Sequence, residues 1–139
     1  MARRKSRTLA LSVLFQIDVG KVAPSEALAY TLAKEGETER YARKIVEGVV
    51  THGKEIDRFI AEQASEGWNL RRMPPVDRNI LRIALYEIVF GEGVPHAVAV
   101  DEAVELAKIY GAEETPKFVN GVLGGFVRAR EVPHESGAP

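Results

Sequence analysis

Apolar residues recur at helical spacing along most of the chain, and the places where that rhythm breaks divide it into segments. Over 6–19, Leu9, Ala10, Val13, Leu14 and Ile17 share one helical face, while Leu11, Phe15 and Val19 fall on a second. A helix apolar on two sides is either central in a bundle or shared with a partner. Gly20 ends it, and Pro24-Ser25 opens a short second helix to about residue 34, with Ser25 expected at the N-cap. From 38 to 64, Tyr41, Ile45, Val49, His52, Ile56 and Phe59 stay on one face, with a kink or break expected near Thr51 to Gly53.

The stretch 67–75 switches to aromatic, basic and proline residues, and its two consecutive prolines fit only a linker or a helix's first turn. Further helices are predicted over 76–90, over 97–110 with Gly111 as the stop, and from Thr115 at the cap and Pro116 at the first position to about residue 130. No segment reads as a strand. The expectation is an all-α chain of about seven helices in two small packed bundles: one domain over 1–131, with helical halves 1–66 and 74–131 and a disordered tail at 132–139.

Composition changes this picture in one place. The formal net charge is −1, yet Arg3, Arg4, Lys5 and Arg7 stand among the first seven residues and no acidic residue precedes Asp18. A basic start on an otherwise acidic chain suggests an arm for a polyanion, most naturally nucleic acid. The chain has no cysteine and no apolar run of the roughly 20 residues a membrane span needs, so a cytoplasmic protein is expected.

Catalytic constellations are absent from the pattern. His52, His96 and His134 lack zinc-helix spacing, Gly91-Glu92-Gly93 lacks the third glycine of a dinucleotide loop, and Asp101, Glu102 and Glu105 beside Lys108 read as a solvated face. No enzyme, cofactor or metal is expected.

Binding chemistry has three candidate places. The basic start can fork onto phosphates. Arg78 and Arg82 form a stripe with Tyr86 on an otherwise apolar helix, and either carboxylates such as Glu47 or Glu105 answer them or they face RNA or a partner. Lys117-Phe118 opens the last helix, where Phe118 lies about 100° from the core face of Val119, Val122, Leu123 and Phe126. Phe118 could either stack on an unpaired base or close the core's edge.

Several segments together resemble the NusB family of bacterial transcription antitermination factors. They are the Arg-Arg-Lys-Ser-Arg start with Ala10 to Gln16, Val76 to Glu87, Val94-Pro95 with Val98 to Lys108, and Phe118 to Leu123. The resemblance implies a non-enzymatic all-α protein that binds the single-stranded boxA element of nascent ribosomal RNA leaders with NusE, a ribosomal small-subunit protein, in a complex that keeps RNA polymerase elongating. By the same resemblance, Arg3, Arg4, Lys5, Arg7, Glu114, Lys117 and Phe118 lie in or beside the RNA site. Phe15, Asp77, Arg78 and Tyr86 fall where the family meets NusE, and Arg82 is either an RNA contact or an internal ion pair. Gly124 stands where the family often carries aspartate, which weakens transfer beyond Leu123. The competing readings are a scaffold or homodimer, and an RNA-binding module of a larger RNA-modifying assembly, for which 139 residues leave no room for a cofactor domain.

Overall fold

A computed structural model describes residues 3–64 and 70–131, apart from the side chain of Glu131, and within them seven helices and no strand. The helices are α1 (Arg4–Asp18), α2 (Pro24–Thr31), α3 (Glu37–Thr51), α4 (Gly53–Gln63), α5 (Pro75–Val89), α6 (His96–Tyr110) and α7 (Thr115–Glu131). The tail at 132–139 and the first three residues of the linker, 67–69, lie outside the described residues.

Helix α5 explains the architecture. Apart from its paired polar residues Asp77, Arg78, Asn79, Arg82 and Glu87 its sequence is apolar, which suits a helix with neighbours on every side. It packs against α1, α3, α4, α6 and α7, and ten of its fifteen residues are buried, so helices from before and after the linker meet on it. Ile80, Leu81, Ile83 and Leu85 are almost wholly buried along it, each worth about 1.5–3 kcal/mol of transfer free energy. Helix α1 packs on α2, α3 and α5, so its first apolar face is internal, while Leu11 is buried on the second and Phe15 and Val19 remain exposed there.

The break expected near Thr51–Gly53 falls at His52, which ends α3 and precedes α4. Its ring stacks on Phe90 with centroids 3.8 Å apart, giving the corner an aromatic brace at the core's edge. Helix α2 starts two residues earlier than expected: Pro24 takes the first turn and Ala23 the cap, so Ser25 is inside the helix and makes no cap hydrogen bond. The turn between α5 and α6 passes through Gly93 at φ 79°, a left-handed conformation that glycine adopts without steric cost. That turn sets Val94 and Val98 beside the start of α1.

Candidate nucleic-acid interface

The basic start is part of a helix. Because α1 begins at Arg4, three of the four cations ride on its first turn, and helical phase decides what each can meet. Arg7 shares a face with Leu11 and Leu14, so it points inward and is 4% exposed. Its Nε donates to both oxygens of Glu87, at 2.9 and 3.0 Å, and Glu87 is itself 1% exposed. The Tyr41 hydroxyl donates to the same carboxylate at 2.5 Å. Burial, then Glu87, pushes that phenol up to about 12. Arg7 was expected at the RNA; the structure corrects this by placing it in a desolvated ion pair that keeps two buried charges satisfied.

Its neighbours remain at the surface. Arg4 forks onto Glu102 through Nε and Nη2, at 2.9 and 3.0 Å, and this hydrogen bonding holds the Glu102 carboxyl below its usual range. Glu102 also lies 3.9 Å from Arg7, so it belongs to the arm's support, whereas Glu105 pairs with Lys108 on a solvated face as expected. The Arg3 guanidinium sits over the Tyr41 ring, 4.0 Å from its centroid, and Lys5 is exposed. A groove of about 520 Å³ runs between Arg3, Arg4 and the Val94–Pro95 turn.

At the opposite end of the α1–α5 pair the charges are reversed. Asp18 accepts from Arg78 at 2.7 and 2.8 Å, from Asn79 at 2.9 Å and from Arg82 at 3.2 Å. Arg82 also forks onto Asp57 at 2.8 and 3.1 Å, while Arg78 donates to the carbonyls of Leu70 and Met73. The hydrogen bonds from Arg78 lead in lowering the Asp18 carboxyl to about 2. The arginine stripe is therefore answered internally, by Asp18 and Asp57 in place of Glu47 or Glu105, because the end of α1 and the side of α4 face this stretch of α5.

Beside that network, α7 begins against α5. The Thr115 hydroxyl accepts from the Ala112 N–H at 2.9 Å and donates to Asp77 at 3.1 Å, so it turns back toward the preceding turn and across to α5. Burial, with Glu114 adding its like charge, raises the Asp77 carboxyl. The ends of α4 and the first turns of α5 and α7 enclose a cleft of about 630 Å³ lined by Pro74, Asp77, Glu114, Lys117 and Phe118. Lys117 and Glu114 are exposed, and half-buried Phe118 packs on the core while facing this cleft.

The residues expected at a protein partner separate by depth. Phe15 is 39% exposed on the outer face of α1, and Arg78 sits half-buried in the network. Asp77 and Tyr86 are each 6% exposed, and the Tyr86 ring lies so close to Gly48 that no Cβ could stand there. Both were expected at the partner surface; α5 is enclosed by five helices, which leaves Tyr86 no open side, whereas Asp77 borders the cleft at the start of α7.

The structure thus gathers Arg3, Arg4 and Lys5 at one end of α5 and Glu114, Lys117 and Phe118 at the other. Asp77 and Glu87, which mark the two ends, are ten residues apart, or about 15 Å of helix. Sequence reasoning missed Glu102 and the role of Tyr41. It also passed over Arg40 and Lys44, which flank Tyr41 on α3 at spacings of one and three and would have shown as a basic edge to that apolar face. Among the described residues no cluster of His, Asp or Glu could hold a metal ion, and no helix is long and apolar enough to cross a membrane.

Residues 4–128 match the sequence model of the NusB family. The transcription antitermination protein NusB of Heliobacterium modesticaldum is 49% identical over 131 residues, spanning 92% of this chain, which covers 63% of that protein's length. The NusB of Pelotomaculum thermopropionicum is 48% identical over 134 residues, with 94% of this chain and 92% of the relative covered. A solved structure of the antitermination factors NusB and NusE in complex with dsRNA superposes with a TM-score of 0.82 at 31% identity, covering 91% of this chain and 96% of that one.

Proposed function

The chain belongs to the NusB family, and on that premise we propose that it is an RNA-binding transcription antitermination factor, holding the boxA element of nascent ribosomal RNA leaders together with NusE. The observation that carries this reading is its likeness to the NusB of the NusB–NusE–dsRNA structure. In this reading Arg3, Arg4 and Lys5 attract the phosphate chain, and Lys117 and Phe118, with Glu114 beside them, take a base in the cleft at the start of α7. The strand spans the roughly 15 Å between them along α5. Phe15 and Arg78 meet NusE directly, while Asp77 and Tyr86 act from behind by fixing α7 and α3.

The role is non-enzymatic, set in the cytoplasm within the elongating polymerase complex. A homodimer of the free protein that covers this surface competes with RNA, so the apparent affinity falls as protein concentration rises.

Titration of single-stranded boxA RNA, and of its duplex, with and without NusE tests the reading. Single-strand binding should weaken with salt at a log–log slope of about 0.7 per phosphate contact, and NusE should tighten it. Replacing Arg3, Arg4 and Lys5 by glutamine should lower RNA affinity and leave NusE binding intact. Absence of RNA binding at low salt, with and without NusE, overturns the proposal.

A further inference from the structure

Half of the basic start is already engaged inside the molecule. Arg7 is buried on Glu87 and Arg4 is forked onto Glu102, which leaves Arg3 and Lys5 without a carboxylate partner among the described residues. Two unpaired cations beside the Glu102-paired but surface-exposed Arg4 are a thin basis for holding a flexible polyanion, and the surface beside them supplies more.

Resting on the RNA-binding reading, we infer that the strand continues from Arg3 onto the first turns of α3, where Arg40 and Lys44 form a second phosphate-binding groove. Arg40 and Lys44 are exposed and have no ion-pair partner among the described residues. With Tyr41 they stand on one face of α3, separated by one turn, or about 6 Å along the axis. A groove of about 390 Å³ runs between them and Arg3, over a floor of Ser6, Thr38 and Tyr41. Glu37 also lines it, but stands in the first turn of α3, where a carboxylate complements the helix's positive end.

The floor is held in place. The Ser6 hydroxyl donates to the Thr38 carbonyl at 2.9 Å, joining the start of α1 to the start of α3. The Tyr41 hydroxyl is tied to Glu87, so its ring offers a fixed face on which Arg3 rests. Arg3 is thereby the link between the two basic surfaces. The groove is open, with three cations around an aromatic ring, which suits a phosphate chain with interspersed bases better than a small anion.

The test compares salt slopes for the boxA single strand on the full chain and on the double variant Arg40→Gln/Lys44→Gln, with Lys34→Gln/Lys54→Gln as a charge-matched control. The groove variant should lose about 0.7 from the log–log slope for each contact removed. Its helicity and its NusE binding should match the parent, and the control should keep the parent slope. A parent slope in the groove variant, or an equal loss in the control, overturns the inference while leaving the RNA-binding reading standing. If Arg40→Gln/Lys44→Gln is misfolded by circular dichroism, Lys44→Gln alone carries the test. Failure of the parent chain to bind RNA at all overturns both.

Discussion

The two ends of the α1–α5 pair hold the same kind of bond in opposite sense and at different depth. At the α1 start, the cation is on α1 and the carboxylate on α5: Arg7 and Glu87, with side chains 5% and 1% exposed. At the α1 end, the carboxylate Asp18 is on α1 and the cations Arg78 and Arg82 are on α5, with side chains 14–19% exposed. The first pair is dry and closed by one further donor, Tyr41; the second is spread over Asn79, Asp57 and two carbonyls and reaches water. Depth, more than the number of bonds, sets how much each end can lose. It also sets which cations remain for a ligand, because residues that look alike in sequence divide into structural and available ones.

The sharpest way to break the comparison is at the dry end. Glu87→Ala leaves the Arg7 guanidinium buried without its carboxylate and should cost about 3–5 kcal/mol in urea unfolding. A cost under about 1 kcal/mol would mean that water reaches Arg7 and that the two ends do not differ in kind. Next in size is an effect on binding at the far end. Phe118→Ala should weaken the boxA complex by about 1–3 kcal/mol if the ring stacks on a base. Unchanged affinity together with a lower unfolding midpoint would reassign Phe118 to the core edge alone.

What the sequence made legible follows the range of the interactions. The stops at Gly20 and Gly111 and the corner at His52 are set by neighbouring residues and read directly, while α7 starts at Thr115, one residue before the first position expected at Pro116. The resemblance carried by Val76 to Glu87 and Phe118 to Leu123 located the family for the same reason. The partner of Arg7 lies 80 residues away on α5, and that of Arg78 lies 60 away on α1, so no local pattern names them. A clue to Arg7 was present in its phase with Leu11 and Leu14. It was masked because four cations in seven residues read as one solvent-facing cluster, although a helix turns each by 100°. The solvated reading of Glu102 failed similarly: its neighbours on α6 face water, while Glu102 itself faces the start of α1.

The wet end gives a smaller, pH-dependent effect. The Asp18 carboxyl lies at about 2 against an ordinary 3.8, so its contribution is fully present above about pH 4 and is lost as pH falls through about 2. A depression of that size corresponds to at most about 2.5 kcal/mol, and screening at the water-facing edge reduces it to about 1 kcal/mol. Asp18→Asn should therefore be less stable than the parent at pH 7, with the gap closing between about pH 4 and about pH 2. A gap that persists at pH 2 would show that neutral hydrogen bonds, and not charge, hold this end together.

The smallest expected effect concerns Asp77, which sits beside the wet cluster but belongs to neither ion pair. Burial raises its carboxyl, the opposite of Asp18, although both stand beside the arginine-bearing stretch of α5. Among the described residues its side-chain hydrogen bond comes from Thr115, a neutral donor, and Glu114 adds a like charge. The ionised form is thus penalised in the folded protein, and stability should fall slightly as pH rises through the carboxylate range. Asp77→Asn removes that penalty and keeps an acceptor for Thr115, so thermal unfolding at pH 7 should be unchanged or a few tenths of a kcal/mol more favourable to the fold. The same variant separates support from contact at the proposed NusE face. Retained NusE affinity fits a residue that positions α7 from behind, whereas a loss of tenfold or more with the fold intact would mean that NusE reaches the Asp77 carboxylate through the cleft.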